Sequence, residues 1–201
     1  MISSTRSTFA ACGRRAGFFR LRRYTGGEVE ALGMPKQHVA VLADVGIPEE
    51  AAPFLAFDNP QLPCPLESWA FSEVPVEDAD RFVVIGSDGS DNPVMLDRTR
   101  PGFVLLIDRE RGTGAHVFNT GIPRFLSSLL AFRDYVDLRN SSSSPMAALQ
   151  TLTKRLEEID SEAWDMGSLW RAEIEAQAGL LYGRTADVLV STFKFFPGWA
   201  V

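Results

Sequence analysis

The stretch RFVVIGSDGSDNPVMLDRTRPGFVLLIDRERGTGAHVFNTGIPRFLSSLLAFRDY, Arg81–Tyr135, decides the fold. Arg81–Gly86 is a short apolar run with the length of a buried strand. Ser87–Asn92, SDGSDN, is turn chemistry: Gly tolerates positive φ, and Asp and Asn cap their own backbone. Pro93–Asp97 and Phe103–Asp108 read as further strands, with Arg100-Pro101-Gly102 as the turn between them. Gly112–Gly114 turns the chain again before a strand at Ala115–Phe118. This spacing predicts an antiparallel meander. Asn119 or Thr120 then caps a helix with Ile122, Phe125, Leu126, Leu129, Phe132 and Val136 on one side, the i, i+3, i+4, i+7 template.

Working outward, Phe18–Tyr24 alternates bulky apolar residues with Arg and reads as a half-buried strand broken by Gly26-Gly27. Pro35–Val45 predicts a short helix, with Pro35 in its first turn and Gly46 as its C-terminal cap. Residues 47–67 contain Pro48, Pro53, Pro60, Pro63 and Pro65, too many for a regular helix or central strand. A strand is expected at Glu67–Val74. After the Ser141–Ser144 break, Met146, Leu149, Leu152, Leu156 and Ile159 trace the stripe of a second helix. A third is expected from about Ser168 to Leu181, carrying Trp170, Ile174 and Leu181. The apolar tail FKFFPGWAV is either a last strand or an exposed sticky segment. The expected organisation is a basic arm at 1–17, one domain at 18–181 and the tail at 182–201.

With 201 residues, 45% hydrophobic and 23% charged, the chain can bury a core without a metal or disulfide staple. Residues 1–27 hold six arginines and no acid, so the rest carries 14 basic against 26 acidic side chains, a net of −12. An acidic body repels phosphate and argues against nucleic acid as a direct ligand. It suits a basic protein partner. The Arg- and Ser-rich start has the composition of a transit peptide, but we read it as a basic arm followed by an edge strand. Cys12 and Cys64 belong to no CxxC or Cys/His cluster, and we expect free thiols in a reducing cytoplasm. No apolar run reaches the roughly 20 residues that span a bilayer.

Chemistry is hard to find in this sequence. There is no GxSxG elbow, and His38 and His116 are the two histidines. Asp88, Asp91 and Asn92 lack the spacing and terminal Glu of a calcium loop. The glycines form neither GxxxxGK[ST] nor GxGxxG. Asp97 and Asp108 each end a strand and could approach one another, although solvated strand-end acids are the default. We therefore expect no catalytic residues, no metal and no cofactor. Glu77, Asp78, Asp80, Asp88 and Asp91 are the candidate partner-facing acids, set against the plainer reading of a solvated face.

The run FVVIGSDGSDNPVMLDRTRPGFVLLID, followed by FNTGIPRFLSSLLAF, resembles the SUKH superfamily. There, a strand ending in Gly, a polar turn, a strand ending in Asp and an Asn-Ser/Thr helix cap recur in this order. FRLRRYTGGEVEALGMPKQHVAVLADVGIP and IDSEAWDMGSLWRAEIEAQAGLL, with Asp160 and Trp170, resemble the flanks of the fourth group of bacterial SUKH immunity proteins. The resemblance implies an α+β fold, SUKH-like, with a mostly antiparallel central sheet flanked by N- and C-terminal helices. It also implies a cytoplasmic immunity protein that neutralises a polymorphic or contact-dependent toxin, such as a nuclease or deaminase acting on nucleic acid. A SUKH-type scaffold without a toxin partner, or an enzyme built around Asp97, Asp108 or His116, are the rival readings.

Overall fold

The computed structural model describes residues 20–69, 78–108, 114–141 and 144–181. Its centre is an antiparallel meander of β6 (Phe82–Ser87), β7 (Pro93–Asp97), β8 (Val104–Ile107) and β9 (Ala115–Asn119). Five two-residue strands precede it: β1 (Leu21–Arg22), β2 (Ile47–Pro48), β3 (Glu50–Ala51), β4 (Leu55–Ala56) and β5 (Cys64–Pro65). The sheet runs β3-β4-β6-β7-β8-β9, with β5 also paired to β6. A separate two-stranded ribbon joins β1 (Leu21–Arg22) to β2.

Side chains alternate across a strand, so the run of apolar residues in β6–β9 fills both faces. Val83, Ile85, Val94, Leu96, Val104, Leu106 and Phe118 enter the larger core. Phe82, Val84, Met95, Leu105 and Ile107 form the second. The register keeps the sets apart: Val83 lies opposite Leu96, and Val84 opposite Met95. A one-residue slip would exchange the two faces.

Helices close the first face. They are α1 (Gly26–Ala31), α2 (Lys36–Asp44), α3 (Ile122–Ser141), α4 (Pro145–Ile159), α5 (Ser161–Asp165) and α6 (Leu169–Leu181). The expected stripe of α3 is buried from Ile122 to Phe132, and Ala131 and Tyr135 are buried as well. α3 packs against β9 with one side and α4 with another. In α4, Leu149, Leu152 and Leu156 are buried, as the sequence predicts. In α6 the buried set is Leu169, Trp170, Glu173 and Gln177. Trp170, Glu173 and Gln177 share one helix face, so a Glu–Gln pair lies where an apolar stripe was expected.

A proline-rich strap closes the second face, through Leu62, Cys64, Leu66 and Trp69. Arg22 fastens it: one guanidinium nitrogen donates to the carbonyls of Phe57 (3.0 Å) and Asn59 (2.8 Å). The other donates to Leu62 O and to Glu28. Where the strap meets the sheet, a Cβ on Gly86 would stand 2.3 Å from the Phe57 ring, so only Gly fits there.

The strand β1 ends at Arg22, before Gly26-Gly27, and this pair also opens α1, because Thr25 and Glu28 form a reciprocal capping box around it. One expectation needs correction. Leu66–Ser68 is a 3₁₀ turn, not the start of a strand at Glu67–Val74; its N–H bond from Trp69 returns to Leu66. The rest of that expected strand lies outside the described residues, as do the arm at 1–17 and the tail at 182–201. α5 was not anticipated.

Candidate functional site

The SDGSDN turn follows β6. Asp88 is only 3% exposed. One carboxylate oxygen accepts from the backbone N–H of Ser90 (2.8 Å) and Asn92 (3.0 Å), and the other from the Asn92 amide (3.0 Å). Burial pushes its carboxyl above the usual range against these bonds, and nearby Asp108 pushes the same way. Asp88 was expected at the partner-facing surface, but its carboxylate builds the turn from inside. A short Asx-forming side chain satisfies its own loop before it reaches solvent. Asp91 stays exposed, with φ +59°, and its carbonyl accepts from Trp69 Nε1 at 3.2 Å.

Asp78 and Asp80 are exposed at the opposite end of β6, around the 3₁₀ turn Ala79–Arg81. The six residues of β6 separate them from Asp91 by about 20 Å at the rise of a strand. Glu77 lies outside the described residues. The candidate acids therefore form two separate sites of negative charge. The one at Asp78 and Asp80 is shared with cations: Arg98 donates to Asp80 O at 2.8 Å, and Arg81 and Arg100 flank Asp97.

Asp97 is fully buried and is not a solvated strand end. It accepts from Arg81 at 2.6 Å, Arg100 at 3.0 Å and the Thr99 hydroxyl at 2.7 Å. Burial alone would raise its carboxyl, but the bonds from Arg81, Thr99 and Arg100 outweigh it and hold the group well below the usual carboxylate range. Asp108, also buried, ends β8. Because β7 and β8 are antiparallel, strand ends at Asp97 and Asp108 fall at opposite ends of the sheet. His116 is exposed on β9. The three residues do not converge on one site.

A fourth buried aspartate joins distant parts of the chain. Asp160, 4% exposed, lies between α4 and α5. It accepts from Asn119 Nδ2 (3.1 Å), Thr120 N (2.8 Å), Thr120 Oγ1 (2.9 Å) and Ala163 N (3.3 Å). Asn119 Oδ1 in turn accepts from Trp170 Nε1 at 2.8 Å. The Trp170 ring packs among Phe118, Phe125 and Phe132. Asn119 and Thr120, read from the sequence as helix caps, thus tie the end of β9 to α5 and α6.

A model of the SUKH-4 immunity protein family matches residues 8–176, a span that includes Asp88, Asp97, Asn119, Thr120, Asp160 and Trp170. The chain belongs to the SUKH-4 immunity protein family. No curated protein and no solved structure matches it.

Membership gives this SUKH-4 chain an immunity function and, with it, a toxin as partner. The match begins inside the segment assigned to the arm and stops before the tail. The motif residues behind the resemblance are internal: the Gly of β6 admits the Phe57 ring, and Asn119, Asp160 and Trp170 form one network. They build the scaffold. Among the described residues, no group of His, Cys, Asp and Glu could hold a metal ion, and no helix is long and apolar enough to cross a membrane.

Proposed function

We propose that this chain acts in the bacterial cytoplasm, where it binds a basic toxin of a polymorphic or contact-dependent system and neutralises it by covering the active site or an adjacent surface. A nuclease or a nucleic-acid deaminase fits best, because enzymes that act on phosphate backbones carry positive charge. Family membership carries the reading. The excess of acids outside residues 1–27 supports it independently. The exposed acids Asp78, Asp80 and Asp91 are the proposed steering charges.

The test is co-purification with the product of the adjacent gene, followed by association kinetics for Asp91→Lys and Asp80→Lys. The side that faces the toxin should lose several-fold in association rate at low salt, and the loss should shrink as salt rises. Unchanged kinetics in both variants would remove these acids from the interface. Failure of the neighbour's product to bind would remove the toxin reading itself.

A further inference from the structure

The two edges of the sheet are unlike. At one edge β3 is two residues long and carries the exposed acid Glu50. A short, charged edge strand of this kind discourages pairing with another chain. At the other edge β9 is five residues, AHVFN, with neither Pro nor a charged side chain. Among the described residues it pairs with β8 alone. Its second half is closed off, since Phe118 and Asn119 are buried beneath the Asp160–Trp170 network. Among the described residues nothing pairs with the outer side of its first half, where Ala115 and His116 are exposed and Val117 is half-buried.

We infer that the outer edge of Ala115–Val117 receives an extended segment of the toxin as an added strand. The proposal rests on the toxin-binding reading above. A strand edge offers alternating N–H and C=O groups, and only another extended backbone matches that spacing. A second copy of this chain is a poor occupant. Three residues span about 10 Å of strand, and pairing two such strips buries far less than the roughly 800 Å² per partner of a stable interface. The edge therefore works only as one part of a larger contact, which a toxin supplies and a symmetric strand pair does not. Charge agrees. The strand itself is uncharged, and α5, which packs against β9, exposes Glu162 and Asp165 beside the exposed Met166. Among the cations at this end, Arg124 is bonded to Asp160, and Arg81 and Arg100 are bonded to Asp97. The segment that fits is extended, with a basic residue at the end lying toward Asn119.

Amide hydrogen exchange on the full chain tests this, alone and with the inactivated product of the adjacent gene. The outward-facing amides of 115–117 should exchange fast in the free chain and at least about tenfold slower in the complex, with β7 unchanged. Ala115→Lys and His116→Lys, which place an edge-blocking charge, should each weaken binding about tenfold without lowering the melting temperature. A complex that leaves exchange at 115–117 unaltered, or full affinity in both variants, overturns the proposal while the immunity reading stands. So does slow exchange in the free chain, whether fixed (its own chain covers the edge) or rising with its concentration (a second copy does). If no complex forms, the immunity reading fails and this one falls with it.

Discussion

The two faces of the sheet are closed by different kinds of structure. The first is covered by α2, α3 and α4, whose apolar stripes repeat at helical spacing, and by α6 through Leu169 and Trp170. The second is covered by a strap whose regular structure is limited to the two-residue β5 and a 3₁₀ turn, held by Arg22 through backbone carbonyls. The helical side is locked from long range, with Asn119, Asp160 and Trp170 meeting across 41 and 51 residues of sequence. On the second face, Asp97, opposite Phe82, is satisfied over shorter range by Arg81, Thr99 and Arg100. Either face can be closed as long as buried polar groups are paired, but the means differ, and so should the response to mutation and pH.

Removing the keystone of the helical side should cost most. Trp170→Ala opens a cavity among three phenylalanines and orphans Asn119 Oδ1. We expect a loss of about 3–5 kcal/mol in urea unfolding. A loss under 1 kcal/mol would show that the lock does not hold α6.

Asp97→Asn is the next largest, at about 2 kcal/mol at pH 7, allowing for the partial exposure of Arg81 and Arg100. Its sign with pH is fixed by the depressed carboxyl. The ion pairs stabilise the fold above the unfolded-state value, near pH 4, and that stability is lost as pH falls below it. The gap between wild type and variant should therefore narrow in stability curves taken below pH 4. A constant gap would mean that Asp97 acts through shape alone.

The smallest effect has the opposite sign and belongs to the helical side. Glu173 is buried in α6 and accepts from Gln177 Nε2 at 2.8 Å, while Tyr135 and Arg139 donate to the Gln177 carbonyl. Burial pushes its carboxyl up to about 7, against the pull of Gln177. The neutral form suits the folded state, so this contribution is full below about pH 4.5 and lost as pH rises toward 7. Glu173→Gln removes the ionisable group, and should be more stable than wild type at pH 8 by on the order of 1–2 kcal/mol and no more stable at pH 4. Thermal melts at both values decide it. Equal stability at pH 8 would show that water or rearrangement already relieves the buried charge.

The helical side was the easier one to read from sequence. Ile122, Phe125, Leu126, Leu129 and Phe132 announce α3 because helix periodicity is a local signal. The strap gives no such signal. Its prolines said only what it could not be, and the Arg22 contacts that fix it span 35 to 40 residues. The same limit applies to the candidate site. Turn chemistry correctly placed SDGSDN after a strand, but only the fold shows that Asp88 faces inward while Asp91 faces out. The predicted cluster of acids separated because neighbours in sequence sit at opposite ends of β6.

By itself, the sequence determined the meander and the main helices, since apolar runs, turn residues and helical stripes are written within a few residues of one another, and its resemblance to a known family pointed to SUKH-4. The tertiary structure decided which polar residues are scaffold and which are surface. It placed Asp88, Asp97 and Asp160 inside and, among the described residues, left β9 paired on one side alone. Burial depends on what the rest of the chain brings up against a residue, and no local pattern encodes that.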